Sequence, residues 1–183
     1  MAAPPLTPTV SMPLVGRSWQ SLIGLVFIIT KAIGPGLLIS LLCWGGFAVA
    51  GQAPLSILCC AAAMFFFSLF LHEMGHILAF WSLSALAPAI FTAQKGRFRL
   101  IRGSLPLPRD LLVTLAGPAA PLLIVLAAAP VAGTHMLEFL MAVAVAVGHL
   151  TALTRADGDG AALRLALTAA RSRAEARMGK TSA

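Results

Sequence analysis

Long apolar blocks, separated by short breaks of Gly, Pro or charge, set the pattern of this chain. Four of them, at residues 33–50, 55–82, 111–131 and 136–153, have the length a helix needs to cross a bilayer, about 20 residues. A further apolar stretch, 21–30, is set off from the first block by Lys31 and Gly34-Pro35-Gly36. It lies in the interface, re-enters, or joins the first span as a kinked helix, because Pro and Gly are tolerated in membrane helices whose neighbours satisfy the freed backbone. After the fourth block, Asp157-Gly158-Asp159-Gly160 interrupts the pattern, and residues 161–170 are apolar but too short to span. The pattern predicts an all-α membrane protein, a polytopic bundle of about four transmembrane helices. In the segment 95–107, Arg97 and Arg99 alternate with Phe98 and Leu100, which suits a short interfacial β-hairpin between spans two and three; a basic loop serving only topology fits the same residues.

Composition agrees with the pattern. With 59% hydrophobic and 10% charged residues, and a mean hydropathy of +0.93, the chain is far more apolar than a soluble domain. Its 183 residues hold about four spans and short connections, which excludes a large soluble domain. The expected organisation is a disordered cytoplasmic tail over 1–20, rich at its start in Pro, Ala and Thr, a membrane domain over 21–170, and a basic cytoplasmic tail over 171–183.

Charge sets the expected orientation. Lys95, Arg97, Arg99, Arg102 and Arg109 fall between spans two and three, and Arg155, Arg164, Arg171, Arg173, Arg177 and Lys180 follow span four. Arg17 and Lys31 lie at the amino end, whereas the connections 51–54 and 132–135 carry no Lys or Arg. The positive-inside rule then places both termini and the central loop in the cytoplasm. The net charge of +7 reads as this topology signal plus attraction to the lipid bilayer; no nucleic acid is implied, because the charges are not interleaved with base-stacking aromatics. Cys43, Cys59 and Cys60 lie in apolar spans at no metal-thiolate spacing and read as reduced packing residues.

The chemistry sits inside the second block. His72-Glu73-Met74-Gly75-His76 is a complete H-E-x-x-H motif, flanked by 61–71 and 77–81, which are almost wholly apolar. On a helix, histidines four residues apart share a face and reach one Zn²⁺, while Glu73 stands where a metal-bound water lies. Three ionisable residues within five positions of a span are costly, about 2.5–3.5 kcal/mol for each charged group on insertion scales, and call for a function. A buried, hydrogen-bonded polar patch is the plainer reading, but it leaves the spacing unexplained.

A catalytic zinc site typically has three protein ligands and an open position. Asp157, Asp159, His149, Glu138 and His135 are the candidates for the third. The expected topology puts Glu138 and His135 at the opposite membrane face, and puts Asp157 and Asp159 on the same side as the motif, between glycines that free the backbone to turn inward. An ordinary helix-ending turn with solvated acids fits those four residues as well.

These residues resemble the site-2 protease family of intramembrane zinc metalloproteases. Three features carry the resemblance, in the family's order over about residues 55–165: His72 to His76, then Leu115-Ala116-Gly117-Pro118-Ala119-Ala120, then Asp157-Gly158. The family's aspartate ligand lies eight residues after an asparagine, and His149 to Asp157 reproduces that interval, so the resemblance prefers Asp157 over Asp159. It implies zinc held by His72, His76 and Asp157, with Glu73 as general base, and a membrane-spanning or membrane-associated peptide as substrate. His149 and Pro118 are the implied substrate-binding positions, and a bacterial cell membrane with cytoplasmic termini is the implied location. The chain departs from the family at His149, which replaces the asparagine before the ligand, at Pro121, which replaces an asparagine after Gly-Pro, and in lacking a proline within 150–156. A catalytically degenerate relative that binds membrane peptides as chaperone, inhibitor or immunity factor is therefore the alternative. A metal channel or carrier has only the intramembrane histidines in its favour.

Overall fold

The computed structural model describes residues 10–14, 18–83, 88–94, 97–103 and 105–181. In chain order these form β1 (Val10–Leu14), α1 (Trp19–Val49), α2 (Ala53–Leu83), β2 (Ala89–Gln94), β3 (Arg97–Arg102), α3 (Leu107–Ala119), α4 (Leu122–Ala128), α5 (Met136–Thr151) and α6 (Gly158–Thr181). Short 3₁₀ turns at Ala129–Val131 and Ala152–Thr154 follow α4 and α5.

The stretch 21–30 joins the first span. α1 is a single helix of 31 residues, about 46 Å long, so the expected span 33–50 is only its C-terminal part. Pro35 lies inside it and removes the amide that would have bonded the Lys31 carbonyl, yet the helix continues. Beside it, Gly36 lets α2 close in, since a Cβ there would overlap the Phe66 ring. The turn into α2 is a Schellman motif: Gly51 takes φ +68°, Gln52 N–H donates to Phe47 C=O (2.8 Å) and Gly51 N–H donates to Ala48 C=O (3.2 Å).

The expected third span, 111–131, is broken. α3 and α4 meet at 47° across Ala120 and Pro121. Pro118 offers no amide to the Thr114 carbonyl, and Pro121 offers none to that of Gly117, which accepts a tighter bond from Ala120 N–H instead (3.1 Å). α5 covers most of the expected fourth span. The apolar stretch 161–170 and the basic tail after it are one helix, α6, as far as Thr181. Three helices, α1, α2 and α5 with its following turn, are long and apolar enough to cross a membrane; the bent α3–α4 pair makes four if counted as one span. Large apolar side chains such as Phe27, Leu42, Val49 and Leu126 lie exposed on them, as helices facing lipid require.

The hairpin between the second and third spans is present and carries a third strand. The antiparallel sheet has the order β1-β2-β3, with Leu14 opposite Ala89 and Arg102 opposite Ala89 on the other side. β1 corrects the disordered tail expected over 1–20 as far as Val10–Leu14 is concerned; residues 1–9 and 15–17 lie outside the described part. Leu14 is buried, and Pro13 is tolerated because β1 is an edge strand. Phe91 of β2 is buried and stacks on Phe98 of β3 (5.8 Å between centroids). One core joins the sheet to the helices through Leu14, Leu25, Ile29, Ile77, Phe80, Phe91 and Val113, so the sheet is fixed at the end of α2 that carries the histidines.

Candidate metal centre

α2 presents His72 and His76 one turn apart, with ring centroids 5.0 Å from each other. The first turn of α6 supplies Asp159, whose Oδ2 lies 3.1 Å from His72 Nε2 and whose Oδ1 lies 3.1 Å from His76 Nε2. Among the described residues these three form the group that could hold a metal ion, their ligand atoms lying within 4.8 Å of one another.

The third member is thus Asp159, not Asp157, which lies exposed in the bend before α6. The glycines decide the phase. Gly158 between the two acids takes φ +54°, turning the chain, and Gly160 is buried so tightly that a Cβ would overlap the carbonyls of Leu153 and Arg155. Arg164, one turn further on, hydrogen-bonds the carbonyls of Thr154 and Arg155 and ties α6 to that bend. Burial pushes the Asp159 carboxyl up, but hydrogen bonds and positive charge from the two facing imidazoles, which act when Nε2 carries a proton, outweigh it and hold the group well below the ordinary carboxylate range.

Close packing of α3 on α2 fixes His76. A Cβ at Gly75 would overlap the Ala116 carbonyl, and one at Gly117 would overlap the His76 imidazole. The ring therefore lies against the α3 backbone, with Nδ1 2.7 Å from the Val113 carbonyl oxygen. A carbonyl only accepts, so Nδ1 carries the proton and the neutral ring has its lone pair on Nε2. That lone pair faces the Asp159 carboxylate at 3.1 Å with no hydrogen between them. Two acceptors at this separation require a cation, either a second proton on the ring or a metal ion. Two imidazole nitrogens and one carboxylate form a donor set that suits catalytic zinc.

The site opens into a cavity of about 430 Å³ lined by His72, Glu73, His76, Asp159 and Thr114 and by β3 from Phe98 to Arg102. A second cavity of about 510 Å³, sharing Leu100, Ile101, Arg102 and Ala162 with the first, continues between β3 and α6 as far as Ala169. Arg102 stands where they meet, paired with Asp110 and donating to Thr114 Oγ1 (3.4 Å). Among the described residues β3 pairs only with β2, so its other edge is open, and both cavities run along β3.

The remaining candidates fall elsewhere. Glu138 and His135 are 3.6 Å apart at the start of α5 and take no part in the group. Pro118, expected as a substrate contact, is fully buried and does not line the cavity; its neighbour Gly117 is the residue of that motif that meets the site. His149, expected to contact substrate, lies against His72 (Nδ1 to Nδ1, 3.1 Å) and Ser68 (Nε2 to Oγ, 2.9 Å). Val113 and Ser68 are functional positions that the sequence analysis does not name. Only Ser68, one turn before His72 on the same helix face, had a signal in the spacing.

Compared with family models, with curated proteins and with solved structures, the chain matches none.

Proposed function

We propose that this chain is an intramembrane zinc metalloprotease of the site-2 protease type, hydrolysing peptide bonds in or near membrane-spanning segments. The observation that carries the reading is the convergence of Asp159 of α6 with His72 and His76, which lie with Glu73 on a helix apolar enough to cross a membrane. His72, His76 and Asp159 would hold the zinc, which would supply Lewis-acid chemistry for peptide hydrolysis.

The chain's own residues do the rest. Glu73 accepts the proton of the attacking water and returns it to the leaving amine. The open edge of β3 takes the substrate as an added strand, because a helical segment hides its carbonyls in its own hydrogen bonds and must unwind before attack. Val113 holds the His76 ring through its carbonyl, and Asp110 and Thr114 fix Arg102 at the cavity wall. His76 and His72 lie 7 and 11 residues before the end of α2 at Leu83, roughly 10 and 16 Å along the helix, so the cavity must admit water to that depth. Counting the bent pair as one span, four crossings return the chain to its starting face, in keeping with cytoplasmic termini.

The test is zinc content together with peptide cleavage. Detergent-purified parent chain is expected to hold about one zinc and to cleave some member of a panel of membrane-spanning peptides, and Glu73→Gln is expected to keep the zinc and lose the cleavage. A parent that takes up no zinc even after reconstitution overturns the reading. Biological activity that survives Glu73→Gln points instead to a peptide-binding relative.

A further inference from the structure

The polar groups behind His72 form a chain of hydrogen bonds with a defined direction. Ser68 is completely buried, and its Oγ lies 2.7 Å from the Phe65 carbonyl oxygen. A hydroxyl has one proton and a carbonyl only accepts, so Ser68 donates to Phe65 and can only accept from its other partner, His149 Nε2 at 2.9 Å. His149 therefore carries its proton on Nε2, and its Nδ1, in the neutral ring, is an acceptor. Facing that Nδ1 at 3.1 Å is Nδ1 of His72, which must be the donor. With its proton on Nδ1, His72 has its lone pair on Nε2, the atom that faces Asp159.

We propose that His149, anchored by Ser68, is a positioning residue that fixes the tautomer and orientation of His72 for metal binding. The inference rests on the metal-site reading above. It assigns His149 a role other than substrate contact or metal ligand: both of its nitrogens are engaged, one by Ser68 and one by His72. The result parallels the other histidine. His76 is oriented by the Val113 carbonyl and His72 by an imidazole, and each is left with Nε2 free towards Asp159. Groups that hold the second nitrogen of a metal-bound histidine set its tautomer and basicity, and their loss typically weakens metal binding 10- to 100-fold. The geometry is local to α2. Ser68 and His72 lie one turn apart, so a single ring from α5 bridges both.

The test titrates Zn²⁺ into the metal-free full chain in detergent. His149→Leu is expected to weaken zinc binding on the order of 10- to 100-fold, and Ser68→Ala by a smaller factor. His149→Asn, whose Oδ1 overlays the histidine Nδ1 and can accept from His72, is expected to stay within a few-fold of the parent. Unchanged affinity in His149→Leu overturns the inference, as does a loss in His149→Asn equal to that in His149→Leu. Failure of the parent itself to bind zinc is a different outcome and overturns the metal-site reading. Should His149→Leu not fold, nitrogen-15 spectra of the zinc-loaded parent with labelled histidine decide the matter. Protons on His72 Nδ1 and His149 Nε2 are expected, and a proton on His149 Nδ1 overturns the assignment.

Discussion

Gly117 of α3 lies so close to His76 of α2 that any side chain at position 117 would occupy the space of the imidazole. The same approach brings the Val113 carbonyl within 2.7 Å of His76 Nδ1. The glycine of the Ala116-Gly117-Pro118 motif is thus what allows one histidine to be aimed. Gly117→Val is expected to expel the ring, break the Val113 bond and lower zinc occupancy well below that of the parent. Overpacking of this kind costs about 1–3 kcal/mol, so the thermal midpoint falls as well. Zinc analysis and thermal unfolding of the same preparation check both effects.

The two acids of the turn separate cleanly. Asp159→Ala removes one of the three converging groups and is expected to abolish stoichiometric zinc, whereas Asp157→Ala, altering an exposed bend residue, is expected to keep it. Metal analysis of the two variants beside the parent decides between them. Zinc retained in Asp159→Ala and lost in Asp157→Ala would reverse the assignment.

Acid is expected to release the metal. Imidazole binds metal only without its competing proton, so zinc affinity falls as the pH is lowered from about 8 towards 5, on the order of tenfold or more. The sign for Asp159 differs in where it acts. Its carboxyl is held below the ordinary range, so it remains an anion over this interval, and its contribution is lost only in stronger acid. Zinc titrations at a series of pH values are expected to show a decline governed by the histidines, and Asp159→Asn, weaker at every pH, is expected to decline along the same curve.

The tight turn between α1 and α2 gives a test of the fold that leaves the site alone. Gly51 sits at φ +68° with no side chain near it, so Gly51→Ala meets no clash and is penalised only for its backbone conformation. The expected loss is about 1 kcal/mol of stability with zinc content unchanged, measured by denaturation of the variant.

How far the sequence reveals this arrangement depends on the range of the interaction that decides each feature. The helix carrying His72, Glu73 and His76 is local and is plain in the motif, as is the β3 alternation of Phe98 and Leu100 with Arg99. β1 is hidden because Val10–Leu14 is a short strand in a Pro-rich stretch whose partner, β2, lies beyond two long helices. The continuity of α1 through Pro35 is hidden too, since the motif Gly34-Pro35-Gly36 reads as a break unless the packing of Phe66 on Gly36 is known. The choice of Asp159 turns on one left-handed glycine. Nothing in the spacing of Asp157 and Asp159 says which of them points inward; the φ of Gly158 and the burial of Gly160 do.

The ligands come from distant parts of the chain: two from α2, and the third from the first turn of α6, after two strands and three further helices. A metal ion there would act as a removable staple, closing a loop that spans most of the membrane domain, and such a closure restricts the unfolded chain more the longer the loop. α6 is also one wall of the channel along β3. An ion bound at Asp159 would therefore brace that wall against α2, in addition to the bonds from Arg164 that already tie α6 to the bend before it.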